Sequence, residues 1–441
     1  MTTTDPIVRR TLDQSDKLGD VCYDIRGPVL EKAKQMEEDG HKIIKLNIGN
    51  LAVFGFDAPE EIQQDMIRNL PNSAGYSDSK GIFAARKAVM HETQKQGIKG
   101  VTLDDIYLGN GASELIVMAT NALLNDGDEL LLPAPDYPLW TAAVSLSGGT
   151  PVHYLCNESN GWMPDLADIR AKITPNTKGI VVINPNNPTG AVYTEASLRA
   201  VNALCRERGI FHIHDEAYEY FTYDGAKNFS AGSIDGAAAH TISLYSLSKG
   251  YGMASWRIGF MVIPEALWPA VNKIQDTLLI CTPTIAQRVA IAAMAVGSSY
   301  PRAHAERIGR LRPRVHAALT DPSVPCETAD VKGAFYHFIR VRTAMDSMTL
   351  TERLIRSMTA AGTAAAAPAA IPEADFRRLL QSGDLPQLDA ACRQLANAGD
   401  ELRLRSLRER LMTLAPAPQP LAVVLANANV LLSCRMPEGA L

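Results

Sequence analysis

The hydrophobic pattern between residues 60 and 261 alternates amphipathic segments with short apolar runs, and each run stops at Gly, Pro, Asn, Asp or Ser. The runs are DIYLGNG, DELLLPAP, KGIVVINPNNP, GIFHIHDEAY and TISLYSLSK. Such runs are typical of strands that are buried on both faces of a parallel sheet and joined by helices. The pattern therefore predicts an α/β domain. Because loops at the carboxyl ends of such strands gather ligand-binding residues, we expect a single site at that edge of the sheet.

Outside this region the pattern changes. Residues before about Glu60 and after about Pro301, including GAFYHFIRV, are typical of a second, smaller α+β unit. From about Met358 the chain is close to low complexity in MTAAGTAAAAPAAIPEADF, and then Leu, Ala and Arg recur at helical spacing from Phe376 to Leu414. The predicted boundaries are 1–59 for an N-terminal arm with part of the small domain, 60–300 for the large domain, 301–357 for the rest of the small domain, and 358–441 for a linker and helical segment.

Composition and charge narrow the functional classes. The 441 residues are 46% hydrophobic and 21% charged, which is enough for a large core. The formal net charge of -5 argues against nucleic acid or anionic lipid as a partner, because binding either one needs clustered Lys and Arg. The N-terminal MTTTDPIVRRTLDQSDK has no apolar core of a secretory signal, and the apolar stretch from Leu421 to Cys434 is too short to span a bilayer.

The cysteines agree with a reducing compartment. They form no CxxC pair and no metal-ligand spacing, and their odd number suits free thiols. We therefore expect a cytoplasmic protein without a metal site. The seven are Cys22, Cys156, Cys205, Cys281, Cys326, Cys392 and Cys434.

The strongest chemical motif is SLYSLSKGYGMASWRIGF. Lys249 follows a strand-like run and two serines, and Arg257 follows eight residues later. Burial and a second cation would favour the neutral amine of Lys249, which can attack an aldehyde to form a Schiff base. Ser246, Ser248 and Arg257 would then hold a phosphate dianion. By itself, Ser-x-Ser-Lys is better explained by a solvated lysine, and Arg257 at this spacing together with the motifs below reverses that preference.

A second motif is HDEAY, at the end of the GIFHIH run. Asp215 would be a buried carboxylate that pairs with a protonated pyridine nitrogen and so keeps the ring an electron sink. Tyr218, three residues on, would donate a hydrogen bond to a phenolic oxygen on that ring. A strand-end Asp is also a common helix N-cap.

Three further motifs complete the set. In INPNNPTG, Asn187 can donate to the same phenolic oxygen, although Asn, Pro and Gly are also ordinary turn residues. In LGNGASELI, the amides of Gly111, Ala112 and Ser113 at a helix N-terminus can bind phosphate. In PAPDYPLW, Tyr137 can stack on the pyridine ring, although a core position would also explain it. Together, five separately ambiguous motifs predict a site for pyridoxal 5'-phosphate (PLP), with Lys249, Asp215 and Tyr218 as the catalytic residues.

This set resembles the class I and II aminotransferases of PLP fold type I, over about residues 15–357. Over about 15–195 the likeness to bacterial glutamate–pyruvate (alanine) aminotransferases is closer. The segments that carry it are VCYDIRGPVL, KLNIGN, FGFDAP, GYSDSKG, GNGASELIV, PAPDYPLWTAAVSLSGG and NPNNPTGAVY. The resemblance implies a mostly parallel seven-stranded sheet between helices, plus a smaller α+β domain. It also implies that Gly49 and Asn187 contact the substrate carboxylate, that Tyr23 and Arg26 line the substrate pocket, and that Tyr76 reaches the phosphate of a neighbouring subunit in a homodimer.

The chain departs from the family in two places. Leu51 stands where the family usually has Pro, and no strand carrying the Arg that binds the substrate α-carboxylate is recognisable after Arg356. Candidates by residue type alone are Arg377, Arg378, Arg393, Arg403, Arg405 and Arg435.

We therefore expect ping-pong transamination with alanine and 2-oxoglutarate as the pair implied by the resemblance. An aspartate, aromatic or broad-specificity aminotransferase is an alternative, since the fold hosts many reactions. So is a PLP-binding fold that handles amino acids poorly because the carboxylate-binding Arg is not recognisable.

Overall fold

A computed structural model describes residues 13–21, 28–40, 49–347, 349–351, 353–355 and 373–381, together with residue 391. The chain divides into two compact units. One contains Met1–Tyr23 and Asn50–Arg342, and the other contains Asp24–Gly49 and Thr343–Leu441. The domain boundaries predicted from the sequence stay a prediction.

The first unit is built on one mixed sheet with the strand order β1-β8-β7-β6-β5-β2-β3-β4. Strands β3, β2, β5, β6 and β7 pair in parallel, whereas β8 runs antiparallel to both β7 and β1, so that β1 points the same way as β7. The strands are β1 Ile106–Gly109, β2 Glu129–Ala134, β3 Thr150–Asn157, β4 Met163–Pro164, β5 Thr177–Ile183, β6 Phe211–Asp215, β7 Thr241–Ser246 and β8 Gly259–Val262.

The α/β fold class is confirmed, but the sheet has eight strands and not the seven that the resemblance implied. The additional strand, β4, consists of two residues that pair antiparallel with the end of β3. It forms because the chain turns back at Gly161, whose φ of 63° suits glycine.

Helices cover the sheet, and their ends show why they start and stop where they do. Helix α7 begins after Thr194, whose side chain accepts from the Ser197 amide at 3.1 Å, and ends at Gly209 with φ 66°. The described helices of this unit are α2 Glu60–Asn69, α3 Phe83–Lys95, α4 Ala112–Leu123, α5 Leu139–Leu146, α6 Leu166–Lys172, α7 Glu195–Arg208, α8 Leu247–Gly250, α9 Trp268–Leu278, α10 Thr284–Val296 and α11 Ser299–Leu319.

Alternate side chains of the central strands enter separate cores on the two faces of the sheet. Leu130 and Leu132 of β2 belong to the core under α4, α5 and α9, whereas Leu131 belongs to the core under α7. Val181 and Val182 of β5 divide in the same way. Burial on both faces explains why these strands are continuous apolar runs in the sequence.

Outside the sheet, β9 Cys326–Thr328 and β10 Ile339–Val341 form an antiparallel pair. The second unit contains α1 Pro28–Glu38 and a helix, α12, at Glu373–Gln381. That helix lies at the start of the predicted helical run, most of which is outside the described residues. Within the described part of the chain, no helix is long and apolar enough to cross a membrane.

Candidate active site

Five strands that run in the same direction deliver the five sequence motifs to one edge of the sheet. Asp215 ends β6 and Ser246 ends β7, directly beside each other in the strand order. Gly111 follows β1, Tyr137 follows β2 and Asn187 follows β5. The sheet topology therefore brings the predicted cofactor residues to its carboxyl edge, as the hydrophobic pattern predicted.

Lys249 lies in the short helix α8, immediately after β7. Ser246 caps this helix, because its hydroxyl accepts from the Ser248 amide at 3.2 Å. Burial, together with the nearby positive charge of Arg257, lowers the pKa of the Lys249 amine. This shift increases the fraction of the amine that is neutral and nucleophilic at a given pH.

The Arg257 guanidinium is fixed over the start of helix α4. Its Nη2 donates to the Asn110 carbonyl at 2.9 Å, and its Nη1 donates to the Ala254 carbonyl at 2.9 Å. Arg257 itself has a left-handed backbone, with φ 53°. A Cβ on Gly111 would lie 2.5 Å from Nη2, so only glycine allows the guanidinium to approach this closely.

The N-terminus of α4 lies against the junction of β7 and β8. Gly111 is the N-cap and supplies no side-chain cap, and Ala112 and Ser113 are the first helical residues. A Cβ on Gly259 would lie 2.7 Å from the Tyr245 carbonyl oxygen and 3.1 Å from the Ala112 amide nitrogen. The Gly111 amide donates to the Gly109 carbonyl at 2.8 Å. The other amides at this helix N-terminus, beside a guanidinium, can form an anion-binding site.

Asp215 is a buried carboxylate with one donor on each oxygen. The Trp140 indole Nε1 donates to Oδ2 at 3.0 Å, and the Ala217 amide donates to Oδ1 at 3.1 Å. Burial raises the pKa of Asp215, and these two hydrogen bonds act in the opposite direction. A cationic partner at this position would stabilise the ionised carboxylate further.

Tyr218 lies three residues after Asp215 and is buried against two aromatic side chains of a distant segment, Phe335 and Tyr336. Its hydroxyl is 2.5 Å from the Tyr336 hydroxyl, and its ring makes edge contacts with Phe335 and Tyr336. Burial raises the pKa of Tyr218 well above its usual range. Tyr218 is therefore a neutral phenol, able to donate one hydrogen bond.

Asn187 lies in a turn that is fixed by its neighbours. The Asn186 side chain accepts from the Thr189 hydroxyl at 2.7 Å and from the Thr189 amide at 3.1 Å. Gly190 has φ 77° and accepts from the Gly333 amide at 2.8 Å. These bonds hold Asn187, which is partly buried, at the end of β5.

The aromatic and substrate residues are described less completely. Tyr137 is partly buried, packs on the core under α4 and α5, and is near enough to contribute to the raised pKa of Tyr218. The Tyr76 side chain is 85% exposed. Gly49 belongs to the second unit, whereas Tyr23 and Arg26 lie outside the described residues.

The candidate arginines of the tail are also only partly described. Arg377 and Arg378 are exposed on α12, and Arg378 pairs with Asp375 at 3.3 Å. Arg393, Arg403, Arg405 and Arg435 lie outside the described residues. In the part of the chain that the structure describes, no group of His, Cys, Asp and Glu could hold a metal ion.

Sequence reasoning missed two residues that contact the candidate site. Trp140 bonds to Asp215, and Tyr336 bonds to Tyr218. Each stood in a segment that was singled out, PAPDYPLW and GAFYHF, but its partner lies far away along the chain. The sequence signal for Trp140 was a tryptophan shortly after a buried strand. The signal for Tyr336 was a pair of adjacent aromatic residues in a loop.

Comparisons with known proteins were made against family models, curated proteins and solved structures. The model "Aminotransferase class I and II" matches residues 41–395, which continues past residue 357, where the sequence motifs stop. The glutamate-pyruvate aminotransferase AlaA of Escherichia coli K12 is 48% identical over 338 residues, covering 75% of this chain and 83% of the relative.

Solved structures give the same picture. A crystal structure of an aminotransferase from Escherichia coli is similar with a TM-score of 0.74 at 44% identity, covering 79% of this chain and 88% of the other. The alanine aminotransferase from Pyrococcus furiosus is similar with a TM-score of 0.71 at 34% identity, covering 76% of this chain and 86% of the other.

Proposed function

Because the chain belongs to the class I and II aminotransferase family, we propose that it transfers an amino group from L-alanine to 2-oxoglutarate, giving pyruvate and L-glutamate. Members of this family are PLP-dependent transaminases, and this chain is an enzyme of that type. The names of the E. coli and P. furiosus relatives support alanine as the substrate. The observation that carries the proposed PLP chemistry is Lys249, which follows β7 at the carboxyl edge of the sheet and whose pKa is lowered by burial and by Arg257.

The described residues fit PLP at both ends of the cofactor. The N-terminus of α4, with glycine at position 111 and the Arg257 guanidinium above it, has the donors that a phosphate dianion needs. At the other end, burial destabilises the ionised form of the Asp215 carboxylate. A protonated pyridine nitrogen beside it would offset this free-energy cost.

Each residue then has a specific task. When bound, PLP supplies an electron sink for the carbanion at the substrate Cα. Lys249 provides the amine that binds the aldehyde and the base that moves the proton at Cα. Asp215 holds the positive charge at the ring nitrogen, and Tyr218 and Asn187 donate to the phenolic oxygen. Tyr137 would cover one face of the ring and exclude water from it.

The phosphate is held by a separate group of donors. Ser246, at the end of β7, and Ser248, in α8, are each 7% exposed. They would bind the phosphate together with the Arg257 guanidinium. The amides of Ala112 and Ser113 would complete this group, because helix N-termini bind anions. The Gly111 amide, which was also predicted to bind phosphate, donates instead to the Gly109 carbonyl at 2.8 Å.

We propose that the enzyme is a homodimer in which Tyr76 serves the partner's phosphate. The Tyr76 loop is joined to the chain after α9, because the Ser77 amide is 3.5 Å from Cys281 Sγ and Gln287 donates to the Ser77 hydroxyl at 2.8 Å. Large apolar side chains are exposed on these and adjoining segments, and exposed apolar surface can mark an interface. They are Tyr76 at 85%, Phe83 at 60%, Leu278 at 56% and Ile280 at 51% exposure.

Mixing two impaired variants tests this shared site, with the activity of each variant alone as the baseline. We expect Lys249→Ala and Tyr76→Phe subunits, unfolded and refolded together, to regain activity, because each mixed dimer contains one site with both side chains intact. Lys249→Ala mixed with Asp215→Asn is the matched control, since both residues come from the same subunit and no intact site can form. Equal activity of the two mixtures, or a monomer in sedimentation analysis, would refute the shared site.

We also propose a cytoplasmic location. The described cysteines Cys156, Cys205, Cys281 and Cys326 are free thiols, which supports a reducing compartment. Labelling of intact and fractionated cells with an antibody to this chain would test it, and recovery in a secreted fraction would contradict it.

A panel of amino acids tests the proposed substrate. The yellow holoenzyme is mixed with alanine, glutamate, aspartate or phenylalanine in a single half-reaction, and loss of the yellow colour and release of the 2-oxo acid are followed. We expect alanine and glutamate to react faster than the other two. Faster reaction with aspartate or phenylalanine would identify the alternative specificity. Normal PLP binding together with a high half-saturation concentration for every amino acid would support the alternative of a PLP-binding fold that handles amino acids poorly.

A further inference from the structure

The indole of Trp140 makes a direct side-chain hydrogen bond to the Asp215 carboxylate. Trp140 lies in the first turn of α5, and its side chain is fully buried in the core under α4 and α5. Its Nε1 donates to Asp215 Oδ2 at 3.0 Å. An indole has a single donor and no acceptor, so this hydrogen bond has a fixed direction.

Asp215 is held by this bond and by one backbone amide. The Ala217 amide donates to the other oxygen, Oδ1, at 3.1 Å. One donor on each oxygen fixes the rotation of the carboxylate about its Cβ–Cγ bond. Since Asp215 is only 3% exposed, water competes little with either donor, and hydrogen bonds to a buried charge are stronger than those to a neutral group.

We propose that Trp140 is a positioning residue for transamination, which orients the Asp215 carboxylate towards the cofactor ring nitrogen and keeps it ionised. This inference rests on the role of Asp215 in the proposed function. Trp140 need not touch the cofactor or the substrate. Burial alone favours the neutral acid at Asp215, and the indole donor offsets part of that effect. Loss of the donor would therefore weaken the charge at the ring nitrogen when the Cα proton is removed.

The competing explanation is that Trp140 only fills the core. The two explanations predict different results for a variant that lacks the indole N–H but keeps the side-chain volume. The tryptophan analogue 3-benzothienylalanine has sulfur in place of the N–H and nearly the same shape, and it can be placed at position 140 by nonsense suppression. Trp140→Phe is the second variant, which removes the N–H and part of the ring.

Trp268 offers a matched control in the same core. It packs against the same cluster, and its Nε1 is buried with no hydrogen-bond partner among the described residues. The analogue at position 268 and Trp268→Phe therefore change the same groups without removing a hydrogen bond. Thermal unfolding of all variants measures the packing effect separately.

Steady-state kinetics with alanine and with α-deuterated alanine test the proposal on the holoenzyme. We expect both position-140 variants to lower kcat about tenfold and to change KM less than about twofold, because a bond to a charged group is lost at the proton-transfer step. The deuterium isotope effect on kcat should increase in these variants. Neither change is expected at position 268.

A double-mutant cycle identifies the route of the effect. In an Asp215→Asn background the analogue at position 140 should lower kcat no further, since Trp140 acts through the carboxylate. Unchanged kcat and isotope effect in the position-140 analogue, or an equal loss in the Asp215→Asn background, would overturn the proposal. Wild-type protein that takes up no PLP would instead refute the proposed function, and the positioning role with it.

Discussion

Gly111→Ala tests how the structure builds the phosphate site. Gly111 caps α4 with φ 79° and ψ 170°, a backbone region that is nearly restricted to glycine. A Cβ there would lie 2.5 Å from Arg257 Nη2 and 2.8 Å from Cζ. Gly297 is the matched control, because its φ of 77° and ψ of -178° are almost the same, whereas a Cβ there would meet no heavy atom within 4 Å.

The structure gives the expected magnitudes. Both substitutions force an alanine into a strained conformation, which costs about 1–3 kcal/mol of stability. Only Gly111→Ala also displaces the guanidinium, which breaks its 2.9 Å bond to the Asn110 carbonyl. A charge-assisted contact of Arg257 to the phosphate is then lost, worth about 1.5–3 kcal/mol, so that cofactor affinity should fall roughly ten- to hundredfold.

Titration of the apoprotein with PLP measures this affinity, and thermal unfolding without PLP measures the backbone strain. We expect similar losses of unfolding temperature in both variants but weaker PLP binding only in Gly111→Ala. Equal PLP affinities for Gly111→Ala and Gly297→Ala would show that the Arg257 guanidinium and the N-terminus of α4 do not hold the phosphate.

Three further predictions follow from the site. Asp215→Asn should leave the fold intact but lower the single-turnover rate with alanine about a hundredfold or more, because a neutral amide no longer holds the charge at the ring nitrogen; an unchanged rate would refute this role. Tyr336→Phe removes the hydroxyl 2.5 Å from the Tyr218 hydroxyl and should lower kcat/KM for alanine about two- to tenfold. Phe335→Leu is the control for aromatic packing, and any similar loss of kcat/KM in this variant should be accompanied by a loss of stability. Burial and Arg257 lower the pKa of Lys249, and the fraction of neutral amine rises with pH. The rate of covalent PLP capture by the apoprotein should therefore increase with pH, and the midpoint of this increase should lie below pH 10.5. A midpoint at or above pH 10.5 would contradict the desolvation of Lys249.

Particular elements show what the sequence contained and what it did not. β2 and β5 were predictable because burial on both faces makes them continuous apolar runs. The antiparallel direction of β8 was not, because its run in RIGFMVI has the same composition as a parallel strand. β4 has two residues, Met163 and Pro164, which is too short for any periodicity.

The candidate site divides in the same way. Lys249, Asp215 and Asn187 were predicted because each follows an apolar run, and topology alone brings such positions to one edge. Arg257, which precedes β8, was predicted from its spacing of eight residues after Lys249. Their supporting contacts were not found, because they join distant parts of the chain. Trp140 and Asp215 are 75 residues apart, and Tyr218 and Tyr336 are 118 residues apart.

Reduction of the holoenzyme with borohydride, followed by peptide mapping, tests the central claim most directly. Borohydride fixes PLP on the amine that holds it, and mass spectrometry then identifies the modified lysine. We predict a single pyridoxyl group on Lys249, because burial and Arg257 favour the neutral amine at this position, next to the phosphate donors at the carboxyl edge of the sheet. A pyridoxyl group on another lysine, or none on any lysine, would contradict the assignment of this site.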